Sequence, residues 1–369
     1  MLFDILYSKI NDSMRGDNIK MKNSDDVCRQ NYFSNKKTIV QFVLSLFVFF
    51  IHFRVFSTIK AMDGYLSMAL DILNTLTHVA VPLFFLISGA LFYRDYTPSM
   101  TLKKWKSRFL SLCIPYMVWN TIWLTLALLG YYTPLGSFLG GVKTALTFEA
   151  VFSGIFLHQF FEPFWFILQL IVLVALCPII YLLLKNKIVG IMIIGVCFLL
   201  SFFGLGRGGI LVNNPNMVII YLIGGWIGMH HFEWITFRVE KKQAIIALLV
   251  YILCCVFQVG KQFLPQWFPV TQISLVVTTV SCVAFYISFD LFSMKTCPNF
   301  MKDSFLIYAM HSFVGAVLSK IVSILLPSGN IFSLLITIIT YVATVVIICL
   351  VGNLLGKYTP RLKRILVGR

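Results

Sequence analysis

The sequence predicts an all-α polytopic membrane protein of about ten transmembrane helices with both termini cytoplasmic. Three observations carry that reading. Of the 369 residues, 59% are hydrophobic and only 12% charged, about half the roughly 25% charge of a soluble domain. The apolar residues are grouped into runs of about 20, the length that crosses a bilayer as a helix. Basic residues concentrate in alternate connections between those runs. A soluble enzyme is excluded by this composition. A transmembrane barrel is excluded as well, because the runs are continuously apolar instead of alternating with period two.

Residues 1–37 are polar and of mixed charge, with no apolar core ahead of the first span, so they read as a cytoplasmic tail without a cleavable signal peptide. Spans follow at Thr38–Phe56, Thr75–Tyr93, Phe109–Gly130, Phe164–Leu184 and Ile188–Leu205. Five more fall at Met217–His231, Gln243–Gly260, Val270–Phe292, Ser304–Leu326 and Ile331–Gly356. The N-terminal tail, the even-numbered connections and the segment from Lys357 onward hold 24 of the 30 Lys and Arg residues. By the positive-inside rule these face the cytoplasm. The longest outer segment, Tyr131–Pro163, is aromatic and nearly uncharged in its middle, and either lies along the membrane or folds back into the bundle. Tyr93, Trp105, Trp119, Trp226, Trp234, Trp267 and Tyr358 stand near span ends and read mostly as interfacial anchors. Residues 359–369 form a basic cytoplasmic tail.

The formal charge of +16 follows the membrane topology, so it points to lipid headgroups and to no nucleic-acid partner. Nine cysteines include no C-x-x-C pair and lie mostly inside apolar runs, where Cys acts as a small hydrophobe. Neither a disulfide framework nor a metal site is expected.

Ionisable groups inside spans are costly and therefore mark function by default. His52 lies 14 residues beyond Thr38, about 21 Å into a core of about 30 Å, hence in the outer half. A neutral imidazole there suits a general base that activates a hydroxyl, or it packs against a polar neighbour. Arg54 follows two residues later, and His78 enters the second span from the same side, so the three have a common level. His158 and Glu162 are four apart and share a face if that stretch is helical; otherwise they are a solvated loop pair. Arg207, in the Gly-rich stretch 204–209, is a candidate for an anionic group of an outer substrate. His311 lies about 10 Å into the ninth span from its cytoplasmic end, and Asp290 reads as a helix-end carboxylate. The loop from Arg94 to Arg108 sets five basic residues against Asp95, a charge that meets anionic headgroups or the phosphates of a nucleotide-bearing donor.

Four stretches, taken in order, resemble the membrane acyltransferase 3 family. They are Val81-Pro-Leu-Phe-Phe-Leu-Ile-Ser-Gly-Ala-Leu-Phe-Tyr93, Lys106-Ser-Arg-Phe-Leu-Ser-Leu-Cys-Ile-Pro-Tyr116 with Trp119, Phe164-Trp165-Phe166 through Pro178, and Ser304-Phe-Leu-Ile-Tyr-Ala-Met-His311. The resemblance covers 38–358 and implies a multi-pass protein of the inner, cytoplasmic membrane. Its implied activity moves an acyl group, acetyl being the common case, from cytoplasmic acyl-CoA to a hydroxyl of a surface glycan or its lipid-linked precursor. On that resemblance His52 matches the first-span histidine and acts as base. Arg54, His78, Glu162, Trp165 and Arg207 are then expected on the acceptor side, and Lys37, Gln41, Lys104, Arg108 and His311 on the donor side. Two positions depart from the family pattern. Gln41 stands where an arginine usually lies eleven residues ahead of the histidine, with Lys37 one turn earlier, and Ser111 stands where a second basic residue of the loop is common. A transporter or flippase of lipid-linked glycans, or an inactive scaffold member of the family, remains the alternative, although the inverted repeats of many transporters are not evident.

Overall fold

The computed structural model describes residues 28–53, 64–134, 143–204, 208–265, 269–292, 296–325 and 331–368. Those residues form helices and connecting turns, with no strand among them. The helices are α1 (Cys28–His52), α2 (Gly64–Thr77), α3 (Ala80–Tyr93), α4 (Thr101–Arg108), α5 (Ile114–Tyr132), α6 (Phe148–Phe156), α7 (Trp165–Ala175) and α8 (Cys177–Leu184). They continue with α9 (Lys187–Phe202), α10 (Pro215–His230), α11 (Lys241–Gly260), α12 (Val270–Ser288), α13 (Ser304–Leu325), α14 (Ile331–Tyr358) and α15 (Pro360–Val367).

Every apolar run becomes helix, but the runs are not equal. Among the described residues seven helices are long and apolar enough to cross a membrane, or eight if the pair Glu162–Ala175 and Cys177–Leu184, bent by 68°, is one span. The fifth and sixth runs form α9 and α10, each of 16 residues, short of the roughly 20 that span a bilayer without tilt or thinning. The bend has a local cause. Pro178 has no N–H to offer the Val174 carbonyl one turn earlier, and the Trp105 indole donates to that carbonyl at 3.0 Å instead.

Helix α1 starts at Cys28, ten residues ahead of the run read from hydropathy. Its added turns carry Tyr32 and Lys36, whose polar atoms are paired inside the protein. Lys36 donates to Asp290 Oδ1 at 2.7 Å, both side chains being almost inaccessible, and lies 4.1 Å from the Tyr286 ring. Tyr32 donates to the same carboxylate at 2.5 Å, and the Val239 backbone N–H to its other oxygen at 3.1 Å. Asp290 is thus no simple helix-end carboxylate. It ties α1, the 237–240 segment and the end of α12 together.

Related ties gather the basic connections at one end of the bundle. Arg94 stands over Phe232 at 4.6 Å, His230 Nε2 meets the Leu184 carbonyl at 2.8 Å, and the Trp226 indole donates to Lys187. The Trp119 indole donates to the Leu366 carbonyl. Tyr93, Trp119 and Trp226 are buried, so these three are internal braces instead of interfacial anchors; Trp105, Trp234 and Tyr358 are exposed.

Helices α3 and α10 pack with their backbones in direct contact. A Cβ on Gly224 would overlap the Leu86 carbonyl, one on Gly228 would lie 2.9 Å from the Ala90 carbonyl carbon, and one on Gly89 2.9 Å from the Gly225 nitrogen. Lipid supplies no hydrophobic drive between helices, so backbone contact through small residues does the joining. Helix α6 folds back on α5, packing through Ala150, Leu124 and Ala127, with Tyr116 and Asn120 donating to the Phe156 and Ile155 carbonyls.

Two stability tests follow. Gly224→Val is expected to prevent accumulation of folded protein, whereas Gly195→Val, at an α9 position with open space around it, leaves the detergent melting temperature unchanged. Lys36→Met strands a buried carboxylate and is expected to cost about 3–5 kcal/mol, and Lys36→Met with Asp290→Leu recovers most of that loss in the same melting assay.

Candidate functional site

His52 and His311 come from helices far apart in the chain and meet with ring centroids 5.8 Å apart. His52 is half-buried in the last turn of α1, and His311 is wholly buried in α13. The Nδ1 of His311 faces the Tyr308 carbonyl at 2.8 Å and the Ile307 carbonyl at 3.3 Å. Carbonyl oxygens only accept, so Nδ1 carries the proton and Nε2 presents its lone pair. That Nε2 is buried and completes no hydrogen bond.

Aromatic rings fix the pair. Phe49 lies 5.4 Å from His311 and stacks on Tyr341 at 4.4 Å, whose hydroxyl donates to the Leu46 carbonyl. Phe161 lies 5.8 Å from His311 and stacks on Trp123 at 4.5 Å. The Trp123 indole N–H is likewise buried without a partner. Beneath His311, Tyr308 is 6.4 Å away; it stacks on Phe164 and donates to the Pro163 carbonyl.

Below Tyr308 opens a cavity of about 300 Å³ that reaches the basic end. Its polar lining includes Gln41 of α1, Arg108 at the end of α4, Ser111, Tyr221 of α10 and Ser304 at the start of α13. Ser111 belongs to a single π turn, Phe109–Cys113, between α4 and α5, an irregularity frequent at functional sites. The hydroxyls of Ser111 and Tyr221 are buried. The Arg108 guanidinium lies 5.8 Å from the Phe92 ring, beside Lys104, which donates to the Phe92 carbonyl at 3.1 Å.

The residues picked out from the sequence therefore divide. His52 joins His311, and Gln41, Arg108 and Ser111 share the cavity, so both departures from the family pattern lie in one place with the arginine they would have accompanied. Lys37 lies 6.0 Å from the Phe33 ring. Trp165 is half-buried, 6.2 Å from Phe85. His78 is exposed at the turn before α3. Glu162 is exposed, and no helix aligns it with His158, which adopts φ 50° in the preceding turn; burial lowers the His158 pKa from its ordinary value. Arg54 and Arg207 lie outside the described residues. Among the described residues no three of His, Cys, Asp and Glu are grouped to hold a metal ion.

Tyr221 and Trp123 were missed from the sequence. Each carries a polar atom inside an apolar run, a usable signal, but aromatic residues are common enough in spans to hide it.

The sequence model of a family described as acyltransferase domain matches residues 38–353. No curated protein and no solved structure matches. The match covers most of the chain, which belongs to the membrane acyltransferase 3 family.

Proposed function

We propose that this family member transfers an acyl group, acetyl in the simplest case, from cytoplasmic acyl-CoA to a hydroxyl of a surface glycan or its lipid-linked precursor, working as a multi-pass protein of the inner, cytoplasmic membrane. The observation that carries the reading is a cavity lined from Arg108 and Gly368 at the basic end to Tyr308, whose ring lies 6.4 Å from that of His311, the partner of His52. A donor made in the cytosol and an acceptor assembled outside have to meet within the bilayer.

In this reading His52 is the general base. It is the half-buried member of the pair, within reach of an acceptor arriving from the outer side, and His311 is the buried partner whose tautomer is set by the Tyr308 and Ile307 carbonyls. In direct transfer the acceptor oxygen bonds to the thioester carbonyl carbon as His52 takes its proton. The C–S bond then breaks, and the departing thiolate recovers that proton. Arg108 and Lys104 hold the donor phosphates, with Lys37 supplying positive charge one turn below Gln41. Arg54, His78, Glu162, Trp165 and Arg207 form the acceptor side.

His52→Ala is expected to lower acyl transfer by about 10²- to 10⁴-fold with protein abundance unchanged; wild-type activity in that variant removes the proposal. Gln41→Arg adds a guanidinium to the cavity and is expected to lower the KM for acetyl-CoA about fivefold or more, since charge-assisted contacts to phosphate are strong. Mass analysis of surface glycans with and without the intact gene identifies the acyl group and acceptor together. Substrate movement without CoA turnover would favour the transporter instead.

A further inference from the structure

The C-terminal helix α15 lies beyond the residues matched by the family, and its sequence reads as a basic tail. In the structure it turns back onto the bundle. Lys363 pairs with both oxygens of the buried Asp303 carboxylate, at 2.8 and 2.9 Å. The Trp119 indole donates to the Leu366 carbonyl at 2.9 Å, and Val367 is buried. Gly368 adopts φ 74°, a left-handed conformation that favours glycine, and a Cβ there would lie 2.8 Å from the Ser111 carbonyl carbon. Val367 and Gly368 both line the cavity that holds Arg108, Ser111 and Tyr221.

We infer that the segment 360–368 completes the acyl-donor pocket, with Val367 and Gly368 forming its wall at the basic end around the phosphopantetheine arm of CoA. The inference rests on the acyl-CoA reading above. Three features distinguish a wall from a plug. With the segment in place about 300 Å³ stays open, so it bounds the space without filling it. An ion pair, an indole hydrogen bond and a glycine contact hold it at successive points, more than a displaceable lid needs. The volume lies at the low end of the roughly 300–1,000 Å³ of small-molecule sites, which suits a thin chain and not a whole nucleotide. Arg108 is then placed for the phosphate.

The test uses the full-length protein with acetyl-CoA and with CoA alone. Gly368→Val is expected to raise the KM for acetyl-CoA about tenfold with little effect on the KM for acceptor, and Val367→Trp, which crowds the same wall, to do likewise. Ile365→Ala, on the exposed face, leaves both unchanged. CoA alone should slow tryptic cleavage at Arg361, Lys363 and Arg364 in the wild-type protein. An unchanged KM in both wall variants, or absent protection by CoA, overturns the inference while wild-type turnover leaves the acyltransferase reading standing. A lowered KM also overturns it, because the segment would then obstruct the pocket. If the wild-type protein consumes no acetyl-CoA and CoA gives no protection, the donor reading fails with it.

Discussion

The glycine seam between α3 and α10 is the constraint on which the rest of the architecture depends. Gly89, Gly224 and Gly228 bring the two backbones into direct contact, and in a lipid solvent such contact replaces the hydrophobic drive that assembles soluble cores. The seam also sets positions away from itself. Tyr93 packs on Gly225 and donates to the Cys177 carbonyl at the break between α7 and α8, and Tyr221, one turn before Gly225, lines the cavity together with Ser88 of α3. A side chain in the seam would push apart the helices that wall the site.

Charge and aromaticity divide the remaining work. At the basic end, two buried carboxylates, Asp290 and Asp303, each take a lysine from a distant helix, Lys36 and Lys363. A buried ion pair gives little net stability but penalises every arrangement that breaks it, so these pairs fix where α1 and α15 lie more than how firmly the bundle holds. Around the histidine pair the supports are rings: Phe49 on Tyr341, Phe161 on Trp123, Tyr308 on Phe164. Stacked rings confine an imidazole without bringing a charge near it. They leave the Nε2 of His311 as an acceptor still to be used.

The cavity gives the departures from the family pattern a common physical meaning. Gln41 and Ser111 are neighbours of Arg108 around one space, so among the described lining residues one guanidinium stands where the family pattern would put more. A neutral amide and a hydroxyl can still hydrogen-bond to a donor, with weaker attraction for phosphate.

Hydropathy and charge order alone determined that the chain is a helical membrane protein, where its apolar runs lie, and that His52 and His311 were worth marking, because the cost of placing backbone and charge in lipid is paid locally, run by run. Four ordered motifs also pointed to the family that the match over residues 38–353 establishes. The tertiary structure decided what those residues do to one another. It paired His52 with His311, and it gathered Gln41, Arg108, Ser111 and Tyr221 around one cavity. It extended α1 back to Cys28 by burying Lys36 against Asp290, turned Trp119 and Trp226 into internal donors, and left Glu162 in solvent away from any shared helix face with His158. Each of these outcomes depends on a partner distant in the chain, and the hydropathy of a segment carries no information about which other segment will lie beside it.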